Sequence, residues 1–485
     1  MLSVTFCGAA RTVTGSQYYM EYVDPNGKKF NFCLDSGMFQ VGQKVNLFKI
    51  NSHLLFDPKK LDAIVLTHAH LDHCGRIPYL VKKGYGGRIY STPATKDIAE
   101  IVMRDASKHS GEGEMTELTE NGEFVPTKEN PKGGEKLYDF IDVDTTMTRF
   151  KTYDYHEPFL IHPNLRVEFN DAGHILGSAT VIFTEISSGR RLAFSGDLGN
   201  PNKPIIEDPE MVTHVPNLTH IFTETTYGNR LHPKFIPKER LRKIINETIR
   251  DNGKVLIPSF SVERAQEVIY FIVELMREGK VPSVPIYLDS PMAERVLEVC
   301  LDHPELYDVA LQDKIREKAN PLIYKNLKIL STSQESKMLN LEHTPSIIIA
   351  GSGMMNGGRI LKHLKFNIEN PHNTLIIVGY QAEGTLGRKI VDGNKEIEIE
   401  DRNFRVLAKV EVINEFSAHA DQKMLKKFIV GLMQESKGPL IPTVFLMHGE
   451  KDAALALGKE LKDAFHDKID TYWPRFGEKV ELWKD

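Results

Sequence analysis

An α/β protein of more than one domain is the fold class this sequence predicts, and three observations predict it. Short β-rich runs bounded by turns fill the first two hundred residues, apolar strand-then-helix units follow from about residue 209, and candidate metal ligands recur at strand ends. At 485 residues the chain exceeds one ordinary hydrophobic core, so two or three domains are expected. Hydrophobic residues make up 41% and charged residues 26%, a globular composition.

The runs LSVTFCG, KKFNFCLDSG, LDAIVLTH, GGRIYST, LRVEFNDAGH, ATVIFTE and RRLAFSGD carry Val, Ile, Phe and Tyr between Gly, Asp or Asn, as strands do. Between them, IPYLVKKG has helical periodicity, with Ile77, Leu80 and Val81 on one face and Gly84 as the stop. Residues 110–137 are polar and punctuated by Gly and Pro, which reads as a mobile surface insertion. Downstream, KVLIPSF precedes SVERAQEVIYFIVELMREG and VPIYLDS precedes PMAERVLEVC. With SIIIAGSG and TLIIVGY, these apolar strands suit a parallel sheet buried on both faces. After VEVINEFSAHAD come a helix at QKMLKKFIVGLMQ, the strand TVFLMHGE and a further helix.

No apolar run is long enough to span a membrane, and MLSVTFCGAAR reads as a strand entering a turn rather than a signal peptide. Cys7, Cys33, Cys74 and Cys300 lack CxxC spacing, which fits a reducing, cytoplasmic setting. With a formal net charge of −5, any nucleic-acid contact has to be local.

The stretch LTHAHLDHCGRIP (66–78) places His68, His70, Asp72 and His73 within six positions, directly after an apolar strand. A structural zinc site ordinarily leans on cysteine, and the only one in the stretch is Cys74, so a catalytic metal site is the better reading. Asp35, His174, Asp197 and His448 each close or follow a strand. One such residue alone is ordinarily a hydrogen-bonded strand end, but strand ends along one sheet edge converge in space. Together the eight supply donors for two ions, since Asp72 and His73 do not readily point where His68 and His70 point.

The set Asp35, HAHLDH, His174 and Asp197 resembles the metallo-β-lactamase family, and LTHAHLDHCGRIP resembles its β-CASP branch of nucleases. The resemblance runs through nearly the whole chain. GAARTVTGSQYYM (8–20) is similar to the branch's opening hairpin and ETTYGNR (224–230) to its acidic motif. IPSFSVERAQEVIY (257–270), DSPMA (289–293) and GSGMMNGGR (351–359) resemble the inserted β-CASP domain. FSAHAD (416–421) and MHGE (447–450) resemble its two C-terminal histidine motifs. The resemblance implies an αββα sandwich built from 1–208 and 412–485, with an α/β β-CASP domain inserted over 209–411. It gives His68, His70 and His174 to one zinc and Asp72, His73 and His448 to another, with Asp197 bridging and Asp35 orienting the site. The chain departs from the family in reading DSG for Asp-Cys-Gly, in the 110–137 insertion, and in a longer stretch between His419 and His448.

Two divalent ions sharing a carboxylate also share a water, whose lowered pKa makes a bridging hydroxide available near neutral pH. Attack on a phosphodiester then benefits from a proton donor at the leaving oxygen. The resemblance gives that role to His419, held by Glu224, with Asp72 and Asp35 completing the catalytic set. Arg230, Arg264, Arg359 and Arg388 lie in or beside Gly, Ser or Thr turns and are the expected phosphate contacts. The resulting expectation is a ribonuclease with two zinc ions per chain, manganese being the alternative metal. Its partner is single-stranded RNA and no membrane, with a homodimer allowed for. A β-CASP DNA nuclease and a small-molecule metallo-hydrolase on the same scaffold are the alternatives. The 209–411 insertion speaks against the latter, because small substrates need no such addition.

Overall fold

The computed structural model describes residues 1–40, 47–109, 116–118, 124–126, 136–213, 215–232, 237–379, 381, 384–413, 416–433 and 441–484. The chain divides into two compact units. One comprises Met1–Asn202, Asp208–Leu231 and Ala418–Asp485; the other comprises Lys203–Glu207 and His232–Ser417.

The first unit holds two seven-stranded sheets. In one, Leu2–Phe6, Tyr18–Val23 and Lys29–Leu34 are antiparallel neighbours. Ala63–Val65, Arg88–Ser91 and Phe150–Thr152 extend it in parallel, and Lys479–Trp483 closes the opposite edge against Leu2–Phe6. The other sheet runs Asp470–Tyr472, Thr443–Met447, Leu218–Glu224, Arg191–Phe194, Ala179–Glu185, Leu165–Asp171, Phe159–His162. Alternation directs each strand's apolar side inward: Tyr18, Met20 and Tyr22 are buried, while Tyr19, Glu21 and Val23 between them are half-buried.

Phe6, Phe32, Phe169, Phe194, Phe222 and Phe445 fill the space between the sheets. The Phe194 and Phe222 rings stack at 4.0 Å, and those of Phe222 and Phe445 at 4.6 Å. Each ring removes roughly 150–250 Å² from water, so this layer dominates the stabilisation of the unit. Helices Gln422–Met433 and Lys451–Phe465 cover the outer face of the second sheet through Leu425, Phe428, Ile429, Leu457 and Leu461. Pro93–His109 packs beside Phe150–Thr152 of the first sheet, with Ile77–Lys82 and Phe140–Met147 near it. This is the expected αββα arrangement.

Its limits differ from the expectation. Residues 209–231 belong with the sandwich, because Leu218–Glu224 enters as a parallel strand between Arg191–Phe194 and Thr443–Met447 and places Phe222 in the core. Residues 203–207 and 412–417 cluster with the inserted unit instead. The helix expected at IPYLVKKG is Ile77–Lys82, with Gly84 at φ 103 beyond it. The reading of 110–137 falls outside the described residues, apart from 136–137 and the pair Thr116–Leu118 and Phe124–Pro126.

The inserted unit is built on a six-stranded parallel sheet ordered Leu327–Ile329, Ile286–Asp289, Ile347–Ala350, Val255–Pro258, Thr374–Ile377, Lys409–Val412. Its four central strands are buried at every position, which is why they are continuous apolar runs without alternation. Among the described residues no helix is long and apolar enough to cross a membrane.

Candidate metal centre

The candidate ligands gather where strands of the sandwich end. Ala63–Val65 leads through Thr67 to His68 and His70, and the single-turn helix Leu71–Cys74 carries Asp72 and His73. His174 follows Leu165–Asp171, Asp197 follows Arg191–Phe194, and His448 follows Thr443–Met447. Asp35 and His448 have left-handed backbones, at φ 55 and 45, a conformation that side chains with a Cβ adopt where their surroundings over-determine it. Gly37 lets the loop after Asp35 lie against the ligand helix: a Cβ there would stand 1.5 Å from the Asp72 carbonyl oxygen.

Three imidazoles and one carboxylate form the first group. His70 Nδ1 is 3.1 Å from His68 Nε2 and 3.1 Å from His174 Nε2. Asp197 Oδ2 lies 3.5 Å from His68 Nε2 and 3.7 Å from His174 Nε2. Burial holds all three histidines below the ordinary imidazole pKa, so each keeps a lone pair free of protons.

Asp72, His73 and His448 form the second group. His448 Nε2 stands 3.4 Å from Asp72 Oδ2, and Asp197 Oδ1 is 3.3 Å from His73 Nε2 and 3.7 Å from His448 Nδ1. Asp35 sits behind this group. It accepts from Thr67 N at 2.8 Å, Thr67 Oγ1 at 2.9 Å and His73 Nδ1 at 2.8 Å, which turns His73 Nε2 towards Asp197. Burial opposes charge on Asp197, but His448, His73 and His68 together hold its carboxyl well below the usual range. For His73 burial likewise opposes protonation, and Asp197 and Asp35 outweigh it.

These residues fit metal ions. Ligand atoms around a tetrahedral zinc, at metal–nitrogen distances of about 2.0–2.1 Å, stand roughly 3.3 Å apart. The first group shows separations of 3.1–3.7 Å with no protein atom needed at its centre. Among the described residues Asp197 Oδ1 is buried without a well-directed hydrogen bond, an orphaned acceptor that a cation satisfies.

His419 completes the cluster. The bridge between Gly199 and His419, and Ala420 N donating to Leu198 O at 2.7 Å, dock this segment beside the site. His419 Nδ1 lies 3.2 and 3.1 Å from the two Glu224 oxygens, and its ring is 4.7 Å from that of His174. Burial alone would lower its pKa; the Glu224 charge and hydrogen bond override this and raise it to about 9. Asp197, Glu224 and His419 also lie close enough to hold an ion. Glu224, however, already accepts from Leu198 N at 2.7 Å and Thr226 N at 3.3 Å, which suits it to orienting His419.

Three family models match the chain: the metallo-β-lactamase superfamily over residues 26–258, the β-CASP domain over 265–390, and a Zn-dependent metallo-hydrolase RNA specificity domain over 403–474. A ribonuclease of Thermus thermophilus is 36% identical, with 98% of this chain and 99% of that protein aligned. The chain belongs to the β-CASP branch of the metallo-β-lactamase superfamily. It is therefore a metal-dependent hydrolase by family. An RNase J-like protein of Methanocaldococcus jannaschii is 33% identical over 86% of this chain and 88% of its own length. A transcription termination factor FttA of the same organism is 32% identical, covering 98% of this chain and 70% of that protein. The chain spans 62% of a similar factor from Methanosarcina mazei. A protein of unknown function from Enterococcus faecalis V583 shares the fold at 13% identity, with a TM-score of 0.50 and 99% of both chains covered.

The four arginines expected at phosphate stand in different surroundings in this β-CASP chain. Arg359 spends its guanidinium on Asp289 and on the carbonyls of Leu330 at 2.7 Å and Ser331 at 2.9 Å. Arg264 is buried, pairs with Glu267, and lies over the Phe416 ring. Arg388 reaches Asp392 at 2.9 Å on the surface. These three forks are committed to the protein's own acceptors. Arg230 alone of the four stands in the sandwich unit: it is exposed, 5.0 Å over the Tyr227 ring, whose centre is 6.1 Å from that of His419. Sequence reasoning passed over Thr67, Thr226 and Ser16, hydroxyls that touch His68, His448 and His73. Thr67 and Thr226 adjoin residues already singled out, and adjacency is the signal that marks them.

Proposed function

We propose that the chain is a zinc-dependent ribonuclease that hydrolyses phosphodiester bonds of single-stranded RNA, with His419 as general acid. The observation that carries this reading is the pairing of His419 with Glu224 immediately beside two donor groups, with Asp197 in the first and its other oxygen turned to the second. His68, His70 and His174 would hold one zinc and Asp72, His73 and His448 the other, with Asp197 reaching both. Zinc bound there supplies Lewis acidity, lowering the pKa of water and drawing charge from the phosphate.

The chain's own part follows from its hydrogen bonds. Asp35 occupies His73 Nδ1 and so aims Nε2 at the donors. Glu224 occupies His419 Nδ1, leaving Nε2 to hold the proton for the departing oxygen. The bond from phosphorus to O3′ breaks, that oxygen takes the proton, and the oxygen of water stays on phosphorus. A 3′-hydroxyl and a 5′-phosphate remain.

The RNA specificity model and relatives named as ribonucleases support RNA over DNA. Four cysteines that are free and buried support a reducing, cytoplasmic setting. The test incubates zinc-loaded protein with labelled RNA, the matching DNA and a chromogenic lactam. RNA fragments bearing 5′-phosphates are expected. Preference for the DNA, or rapid lactam turnover without RNA cleavage, overturns the reading.

A further inference from the structure

The stretch GAARTVTGSQ resembles a family motif, yet none of its residues has a task in the chemistry above. Ser16 stands apart within it. Its side chain is fully buried, and its Oγ lies 3.2 Å from His73 Nε2, the nitrogen that Asp35 aims at Asp197. That separation is the one expected between two atoms ligating the same ion, about 3.3 Å for zinc.

The backbone fixes the hydroxyl there. Ser16 N donates to the Asp72 carbonyl at 2.8 Å, and Gly37 N donates to the Ser16 carbonyl at 2.9 Å. Ser16 is thus clamped between the helix that carries Asp72 and His73 and the loop that follows Asp35. Gly15, at φ 75, makes the turn into this position, and a Cβ there would meet the Phe39 ring at 2.7 Å. A metal on His73 Nε2 takes the place of that nitrogen's proton and ends its hydrogen bond with Ser16. The serine oxygen keeps lone pairs for the same ion.

We propose that Ser16 is a ligand of the second metal position, its hydroxyl oxygen standing beside Asp72, His73 and His448. This rests on the metal-dependent reading above. A neutral oxygen adds a donor without adding charge next to two carboxylates, Asp72 and Asp197.

The test uses the full chain and reads metal binding rather than turnover. Metal-free wild type and Ser16→Ala are titrated with zinc against a chromogenic chelator. Ser16→Ala is expected to retain one tight site and to weaken the other about 10–100-fold, the usual cost of removing a supporting group. Ser16→Cys is then loaded with cobalt(II). A thiolate at ligand distance gives a near-ultraviolet sulfur-to-cobalt charge-transfer band. The wild type should lack that band, because Cys74 turns its Sγ to the Ala69 carbonyl at 3.4 Å. Unchanged affinity in a folded Ser16→Ala overturns the proposal, as does a folded Ser16→Cys protein holding two cobalt ions without the band. Either result leaves the metal site standing. If Ser16→Ala does not fold, the cobalt spectrum decides. Wild type that binds fewer than two ions removes the metal reading itself, and this assignment with it.

Discussion

Glu224 receives the His419 Nδ1 proton across both carboxylate oxygens, at 3.2 and 3.1 Å, from a position that is itself buried. Burial pulls the imidazole pKa down and the carboxylate pulls it up, and the carboxylate wins, giving about 9 against an ordinary 6.5. In metal-free protein, His419 should therefore titrate near pH 9 by NMR, and Glu224→Gln should lower that value. The linked stability has a definite sign, because the folded pKa is raised. The contribution is fully present below about pH 6.5 and is lost as the pH rises through about 9. Denaturant melts of metal-free wild type and Glu224→Gln should differ more on the acid side of that window than on the alkaline side. An equal difference on both sides would mean that the pair does not hold the proton.

His419 and His448 lie in the same C-terminal part of the sandwich but have different neighbours. His448 Nε2 faces Asp72 at 3.4 Å, whereas His419 Nδ1 is turned to Glu224. His419→Ala should keep both metals and slow RNA cleavage by about 10²–10⁴-fold, the usual worth of a general acid. His448→Ala should instead lose one ion. Elemental analysis beside single-turnover kinetics separates the two, and metal loss in His419→Ala would reassign it as a ligand.

Asp197 takes part in both donor groups through different oxygens, Oδ2 in the first and Oδ1 in the second. An amide keeps one acceptor and replaces the other with a donor. Asp197→Asn should accordingly reduce occupancy at both positions together with activity. Zinc at a hundred times its dissociation constant adds about 2.7 kcal/mol per site to the folded state. Chelation should lower the melting temperature of wild type, and lower that of Asp197→Asn much less. A variant that retains two tight ions would show that the groups are independent.

The cluster of candidate donors is legible in the chain because its chemistry is concentrated locally, from His68 to His73, and because strand ends converge. Pairings between distant segments are not legible in this way. Leu218–Glu224 looks like the start of a new domain until its two parallel neighbours, Arg191–Phe194 and Thr443–Met447, are seen on either side. Ser16 looks like a turn residue, since nothing local points to His73, 57 positions away. Arg359 beside a Gly-rich turn is indistinguishable from a phosphate contact until Asp289, 70 positions earlier, is found against it. Local composition reports which groups are chemically able; only the fold decides which of them are already spent.

Arg359 and Arg230 put that distinction to measurement. Asp289 is fully buried at the end of Ile286–Asp289, and His363 Nε2 lies 2.6 Å from its other oxygen. Removing Arg359 leaves this carboxylate short of a partner, and breaking a buried pair costs about 3–5 kcal/mol, less where a second partner such as His363 remains. Arg359→Ala should therefore destabilise the inserted unit clearly. Among the described residues Arg230 is exposed and held through its backbone and the Tyr227 ring, so Arg230→Ala should leave the unfolding midpoint nearly unchanged. It should weaken RNA binding uniformly across sequences and reduce the slope of log affinity against log salt by about one, as the loss of one phosphate contact does. Chemical unfolding and salt-dependent RNA binding of both variants read the two effects separately. A salt slope unchanged in Arg230→Ala would remove this arginine from the RNA path.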